Sequence, residues 1–384
     1  MPSEQPASSL ALPDLPATIA AATPTANRAV AAAAPGPLAP AIGQPLSSLL
    51  SPQALAGLAV TAAAVPPRLW RRVLVDPVEE LLRRPGKGFR GRLTEIAYHL
   101  AGGCGSPPPA LAAMLEVVHA GSMIIDDIED DSRDRRGGPA VHRLHGLPIA
   151  LNAGNWMYFA PYQLLECLGL EPGAELHLHR RMSRVLLDCH AGQALDLGAR
   201  PGQVTQAQIG AVVATISTLK TGRLLALAAE AGAIAAGAGP GPAGALGEFG
   251  QALGTGLQML DDLGNLSGRA PPDKRYEDLR CGRVTWPWAW AAELLEEPAW
   301  TAMVAERDRL AAEEPQAAPG RSGSAHWQPM ALRLRGLVGA HGRLTTHWHL
   351  RGALSRLRAA LPQAPTPVLD AIEREIERLE ASYV

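Results

Sequence analysis

Residues 109–138 read PALAAMLEVVHAGSMIIDDIEDDSRDRRGG, and the middle of this stretch decides the fold. Ala110 to Ile125 is almost wholly apolar and far longer than a strand, and its β-branched residues are scattered rather than alternating, which predicts a helix. That helix runs into six carboxylates in nine positions, Asp126, Asp127, Glu129, Asp130, Asp131 and Asp134, answered by Arg133, Arg135 and Arg136. Positions i and i+4 share a helix face, so Asp126 and Asp130 project together with Asp127 beside them. Like charges at this spacing repel, least favourably at the negative end of a helix. A solvated acidic helix end is the bland account. Against it, Asp126 and Asp127 follow directly on Met123, Ile124 and Ile125, where the helix leaves the core. The pattern also recurs in LQMLDDLGN, residues 257–265, with Asp261, Asp262 and Asn265. Two oxygen-only clusters suit Mg2+, which shares its shell with waters and substrate phosphates. The arginines that follow suit phosphate directly, through their forked donors.

The 384-residue chain is 47% hydrophobic and 19% charged, enough apolar material for a large core. A formal net charge of -2 offers no global field for nucleic acid, so an anion must be held by local arrangement. Cys104, Cys167, Cys189 and Cys281 are scattered and form no CxxC pair, which reads as free thiols in a reducing compartment. No signal peptide is visible, and the apolar stretch QALAGLAVTAAAV falls short of the ~20 residues a spanning helix needs. A soluble, cytoplasmic protein without a stable membrane span is expected. Residues 1–65 are rich in Ala, Pro and Ser and are expected to form a disordered arm. Beyond them, 66–384 should form one catalytic domain. Long apolar-periodic runs at 109–130, 210–234 and 246–266 are separated by breakers at 105–110, 237–244 and 315–324. The fold class predicted is all-α, a large single-domain helical bundle.

DDIEDDSRDRRG resembles the first aspartate-rich motif of the trans-prenyl diphosphate synthases, DDxxD followed by two arginines, and LQMLDDLGN resembles the second. Asn265 departs from the bacterial pattern and is similar to the DDxxN of animal and fungal geranylgeranyl diphosphate synthases, as is HRLHGLPIALNAGNWMYF. The resemblance runs from about Pro85 to about Pro287. It implies the isoprenoid synthase fold, with two aspartate-rich helices facing a central cavity, and a homodimer. It also implies a Mg2+-dependent prenyltransferase that condenses isopentenyl diphosphate with an allylic prenyl diphosphate, most readily to geranylgeranyl diphosphate. Asp126, Asp127, Asp130, Asp261 and Asp262 would ligate Mg2+. Lys87 and Arg90 of PGKGFRGRL, His119 of LEVVHAGS, and Arg136 would bind isopentenyl diphosphate. Arg135, Lys220 and Thr221 of LKTGRL, Gln258 and Lys274 would serve the allylic diphosphate. Arg283 stands where a second lysine is usual, and Arg is not a neutral replacement. Singly, each cation reads as a solvated surface group and His119 as a core histidine. Their joint order raises the functional reading.

Small residues at Gly121 and Ser122, just before Asp126, are expected to leave a product tunnel open, with Trp156, Tyr158 and Phe159 at its floor. The rival readings are a class I terpene cyclase of the same fold and a non-catalytic partner subunit of a prenyl synthase. A cyclase has no use for Lys87, Arg90 and Arg136, and a non-catalytic subunit tends to lose motif aspartates that are all kept here.

Overall fold

The computed structural model describes residues 45–59, 61–86, 88–267, 275–313 and 324–382. Helices account for most of them. Among the described residues the strands are a two-residue antiparallel pair, Asp134–Arg135 (β1) and Gly138–Pro139 (β2), with Arg135 opposite Gly138. The all-α class expected from the sequence is the class observed. The chain divides into two compact units. The first comprises the chain up to Ser183 with Ala228–Leu246 and Gln363–Glu375, and the second comprises Arg184–Leu227, Gly247–Pro362 and the remainder.

The first unit is built on the helix Pro109–Glu129. Pro108 and Pro109 start it, where a missing N–H costs nothing. Leu111, Met114, Leu115 and Ile124 are fully buried, as are Met157, Leu164 and Leu165 of the adjacent helix Leu147–Glu166. These two helices cross through glycine. A Cβ on Gly121 would lie 2.7 Å from Met157 Cβ and 3.0 Å from the Gly154 carbonyl oxygen. One on Gly154 would lie 2.8 Å from Ile125 Cδ1. Gly121 therefore does not line an open tunnel as the sequence reading expected. It is on the buried face, and its missing side chain lets two backbones approach. Ser122 and Met123 are the partly exposed residues of that turn. Phe159, expected at a tunnel floor, is 70% exposed, while Trp156 and Tyr158 are partly buried.

Within the stretch expected to form the N-terminal arm, the described residues begin at Pro45. Ser51 caps a helix Pro52–Ala56 through its hydroxyl, and Leu46, Leu50 and Leu55 are buried. Leu46 and Leu50, four apart, and Leu55, five further on, give this otherwise small-residue segment its buried apolar contacts. Residues 1–44 lie outside the described part of the chain.

The second unit packs the helices Gln206–Ile216, Trp286–Leu294, Glu297–Glu313 and Ser324–Ala360 around an indole-rich core. Trp288, Trp290, Trp300 and Trp327 are all buried with Ile209, Val213, Met259 and Leu334. Trp288 meets Trp300 edge to face at 5.8 Å, the geometry aromatic quadrupoles favour. One helical stretch, Gln206–Ala235, is long and apolar enough to cross a membrane by composition, and half of its most apolar window is buried within the protein. Core helices pass the same test.

The glycine crossing is open to measurement. Gly121→Val should lower stability by ~1–3 kcal/mol through overpacking against Met157 and the Gly154 carbonyl. An unchanged urea midpoint would mean that the two helices separate freely there.

Candidate active site

In the first unit, the helix Pro109–Glu129 carries Asp126 and Asp127 into a short hairpin that returns two arginines to them. Asp127 is 1% exposed, and the Arg135 Nε donates to its Oδ1 at 2.7 Å. The same guanidinium reaches Asp126 Oδ2 at 3.5 Å. Asp127 Oδ2 is buried and meets no donor among the described residues, which leaves a carboxyl oxygen open to a cation. Asp126 and Asp130 keep partial exposure on the shared face.

The hairpin turns through Arg136 at φ 48° and Gly137 at φ 77°. Positive φ at both central residues is the signature of a type I′ turn, which matches the twist of paired strands. Glycine adopts it freely, whereas for an arginine the left-handed region costs ~1–2 kcal/mol. The turn brings Arg136 close enough to His119 for its charge to act there, as that of Arg90 does. Burial holds the His119 imidazole well below its usual titration range, and the charges of Arg90, Arg136 and Arg135 push it the same way. Burial also lowers Arg136, while Glu116 supports its charge and Arg135 and Arg84 oppose it. Glu116 is 4% exposed and accepts the Gly91 N–H at 2.9 Å, one residue past Arg90. Arg90 and Arg136 thus both act on His119, and one of Arg136's own donors, Nη1, is buried and unmatched among the described residues. Lys87, assigned to the same substrate, lies outside the described residues.

In the second unit, Lys220 and Thr221 lie on a π-helical turn, Ser217–Gly222, within an otherwise α-helical run. Such turns recur at functional sites because they redirect side chains. Glycines make room for it: a Cβ on Gly192 would fall 2.6 Å from the Lys220 backbone nitrogen, and one on Gly254 2.9 Å from Gly222 Cα. Lys220 Nζ donates to Asp196 Oδ2 at 2.7 Å, and Arg283 Nη1 stands 3.7 Å from the same oxygen. Arg283 thus shares with Lys220 the carboxylate that holds both cations.

The second aspartate pair is divided by role. Asp261 is exposed. Asp262 is 4% exposed and both of its oxygens are engaged: Gln258 Nε2 donates to Oδ1 at 2.8 Å and the Trp286 N–H to Oδ2 at 2.9 Å. The Thr221 hydroxyl donates to Gln258 Oε1 at 2.9 Å, so a relay of hydrogen bonds runs from Thr221 to Trp286. Burial raises the Asp262 carboxyl to about 7, against the two hydrogen bonds and with the help of Asp261 and Asp196. Asp278 is raised well above the usual range by burial and by Asp262, Asp261 and Asp196. Lys274 lies outside the described residues. Sequence reading missed Asp196, Glu116 and Arg84. Asp196 is an acidic break in the helix Pro172–Gly198, a signal that becomes specific only when Lys220 is seen against it.

The donor set fits a divalent cation: carboxylate oxygens alone, one of them buried and unmatched on Asp127. Among the described residues no three His, Cys, Asp or Glu side chains enclose a cation by themselves. That suits an ion whose shell is completed by water and phosphate.

Residues 71–316 match the family described as polyprenyl synthetase, more than half of the chain. The chain belongs to that family. It is 29% identical over 236 residues to the geranylgeranyl pyrophosphate synthase of Eremothecium gossypii, covering 59% of this chain and 73% of that one. It is 32% identical over 193 residues to the short chain isoprenyl diphosphate synthase of Methanothermobacter thermautotrophicus, covering 49% of this chain and 57% of that one. Among solved structures, the polyprenyl synthase of Caulobacter crescentus CB15, complexed with calcium and isoprenyl diphosphate, superposes with a TM-score of 0.64 at 21% identity. The match covers 91% of this chain and 99% of that one and shows a common all-α fold.

The Asp262 environment has a measurable consequence in the metal-free protein. A carboxyl with a raised folded pKa binds its proton more tightly when folded, so stability falls as pH rises. The loss runs from about pH 4 to about pH 7 at up to ~1.4 kcal/mol per pH unit. Asp262→Asn, measured by denaturant unfolding across that range, should flatten this slope. An unaltered slope would remove Asp262 as its source.

Proposed function

We propose that this protein is a Mg2+-dependent trans-prenyltransferase that condenses isopentenyl diphosphate with an allylic prenyl diphosphate, with geranylgeranyl diphosphate as its main product. The observation that carries the reading is that Arg90 and Arg136 both act on buried His119 while Arg135 bridges Asp126 and Asp127. Family membership supports the reaction class. A cyclase or a non-catalytic subunit would have no need for that arrangement.

Asp126, Asp127, Asp130 and Asp261 would hold Mg2+ on this reading, with Asp262 orienting Gln258 from behind. The metal, when bound, supplies neutralisation of the leaving diphosphate's charge. Arg135, Lys220 and Lys274 would stabilise the same charge as the allylic C–O bond breaks. Arg90, His119, Arg136 and Lys87 would hold isopentenyl diphosphate so that its double bond attacks the allylic carbon. Neutral His119 donates one N–H to an anion without adding charge among the arginines. Loss of a proton from the new cation, with released diphosphate as its acceptor, completes a five-carbon extension. Water must be kept out while the cation exists.

The product assignment rests on the name of the Eremothecium relative and on the small, partly exposed Ser122, one turn before Asp126. A homodimer is part of the proposal. Leu147, Leu151 and Phe159 recur at four- and eight-residue spacing on one helix and are 52%, 41% and 70% exposed, an apolar stripe suited to a second copy.

Incubation with Mg2+, isopentenyl diphosphate and each allylic diphosphate tests the reaction. Geranylgeranyl diphosphate should form, chelator should abolish it, and Mg2+ should restore it. Turnover of a prenyl diphosphate to hydrocarbon without isopentenyl diphosphate would establish a cyclase instead. Asp126→Ala should lose nearly all turnover with its unfolding midpoint little changed, since the repulsion relieved offsets the lost 3.5 Å contact with Arg135. A strong loss of stability in that variant would make Asp126 structural. Ser122→Phe should shorten the product toward farnesyl diphosphate, and an unaltered product length would show that the chain does not pass this residue.

A further inference from the structure

We propose that Arg84 is a positioning residue for the isopentenyl diphosphate site: it clamps the β1–β2 hairpin from behind and so holds Arg136 in its left-handed conformation. Resting on the reaction proposed above, this assigns a role to a side chain outside the two aspartate-rich motifs.

Arg84 follows the helix Asp76–Leu82, anchored in the core by Leu81 and Leu82. Its side chain is 11% exposed and its donors are divided between two partners. Nη2 and Nε donate to Glu80 Oε1 at 2.7 and 3.2 Å, which fixes the guanidinium on its own helix. Nη1 donates to the Arg135 carbonyl oxygen at 2.6 Å, 51 residues away in sequence. On the opposite strand, a Cβ at Gly138 would lie 3.1–3.3 Å from three guanidinium atoms of Arg84. The guanidinium therefore braces both strands of a two-residue hairpin.

Beyond the Arg135 contact with Asp127, that hairpin has little to define it. Each strand has two residues, and the turn between them places a non-glycine residue at φ 48°. A strained backbone persists only where its surroundings over-determine it. The Ala140 N–H to the Arg133 carbonyl, at 2.8 Å, closes the hairpin base, and Arg84 secures its tip. Arg84, Arg136, Gly137 and Gly138 also line a common hollow of about 590 Å³, so a loosened Arg84 gives the turn room to relax. A fork with three engaged donors suits this task, and a lysine cannot reproduce it.

The test compares steady-state kinetics of the full-length wild type, Arg84→Met, Arg84→Lys and Glu80→Gln, alongside thermal melts. In Arg84→Met the KM for isopentenyl diphosphate should rise about tenfold, as for one weakened charge-assisted contact, while kcat and the allylic KM stay within about twofold. Arg84→Lys keeps the charge but not the fork and should stay several-fold impaired. Glu80→Gln frees the guanidinium without removing it and should raise the same KM by a smaller factor. Glu80→Gln decides the matter if Arg84→Met does not fold. Unchanged isopentenyl diphosphate kinetics in the folded variants, an equal rise in both KM values, or full recovery by Lys would each overturn the positioning role. A wild type that consumes no isopentenyl diphosphate would overturn the reaction proposal, and this inference with it.

Discussion

A carboxyl group buried among apolar helices costs several kcal/mol unless hydrogen-bond donors answer it or it takes up a proton, and two of them organise this structure. Asp127 sits at 1% exposure and is answered by Arg135, eight residues on, which requires the chain to reverse at once. That reversal is the β1–β2 hairpin, and its left-handed Arg136 is a consequence. Asp262 sits at 4% exposure and is answered by Gln258 one turn back and by the Trp286 N–H. The segment after the second motif must therefore return to it. In each unit, the placement of the basic residues follows from satisfying one buried acid.

Close backbone approach is the second constraint, and glycine carries it. Gly121 and Gly154 set the crossing that puts the first-motif helix against its neighbour. Gly192 and Gly254 make room around the π-turn that presents Lys220 and Thr221. These glycines work by lacking a side chain rather than by backbone freedom. A small residue beside an aspartate-rich motif can thus look like open space in a sequence and be a contact in the fold, as at Gly121.

Charge is arranged with similar economy. Asp196 takes Lys220 and Arg283 together, so the arginine found where a lysine is usual still meets an acid. Glu116 supports Arg136 and holds the Gly91 N–H beside Arg90. Neither acid belongs to an aspartate-rich motif, yet each holds cations assigned to substrate.

The sequence by itself determined the all-α class, the apolar runs that become the long helices, and the ordered set of acidic and basic motifs. Those depend on local periodicity and on the chemistry each residue type carries, which neighbours in the chain express directly. Tertiary structure alone decided that Gly121 packs against Met157, that Phe159 faces outward, and that residues 45–59 contribute buried leucines. It also decided that Asp261 is exposed while Asp262 is engaged. Adjacent aspartates on a helix point about 100° apart, and only the packed surroundings settle which one is desolvated. Arg84 shows the same limit, because its partner at Arg135 is 51 residues away and is met only when the hairpin closes over it.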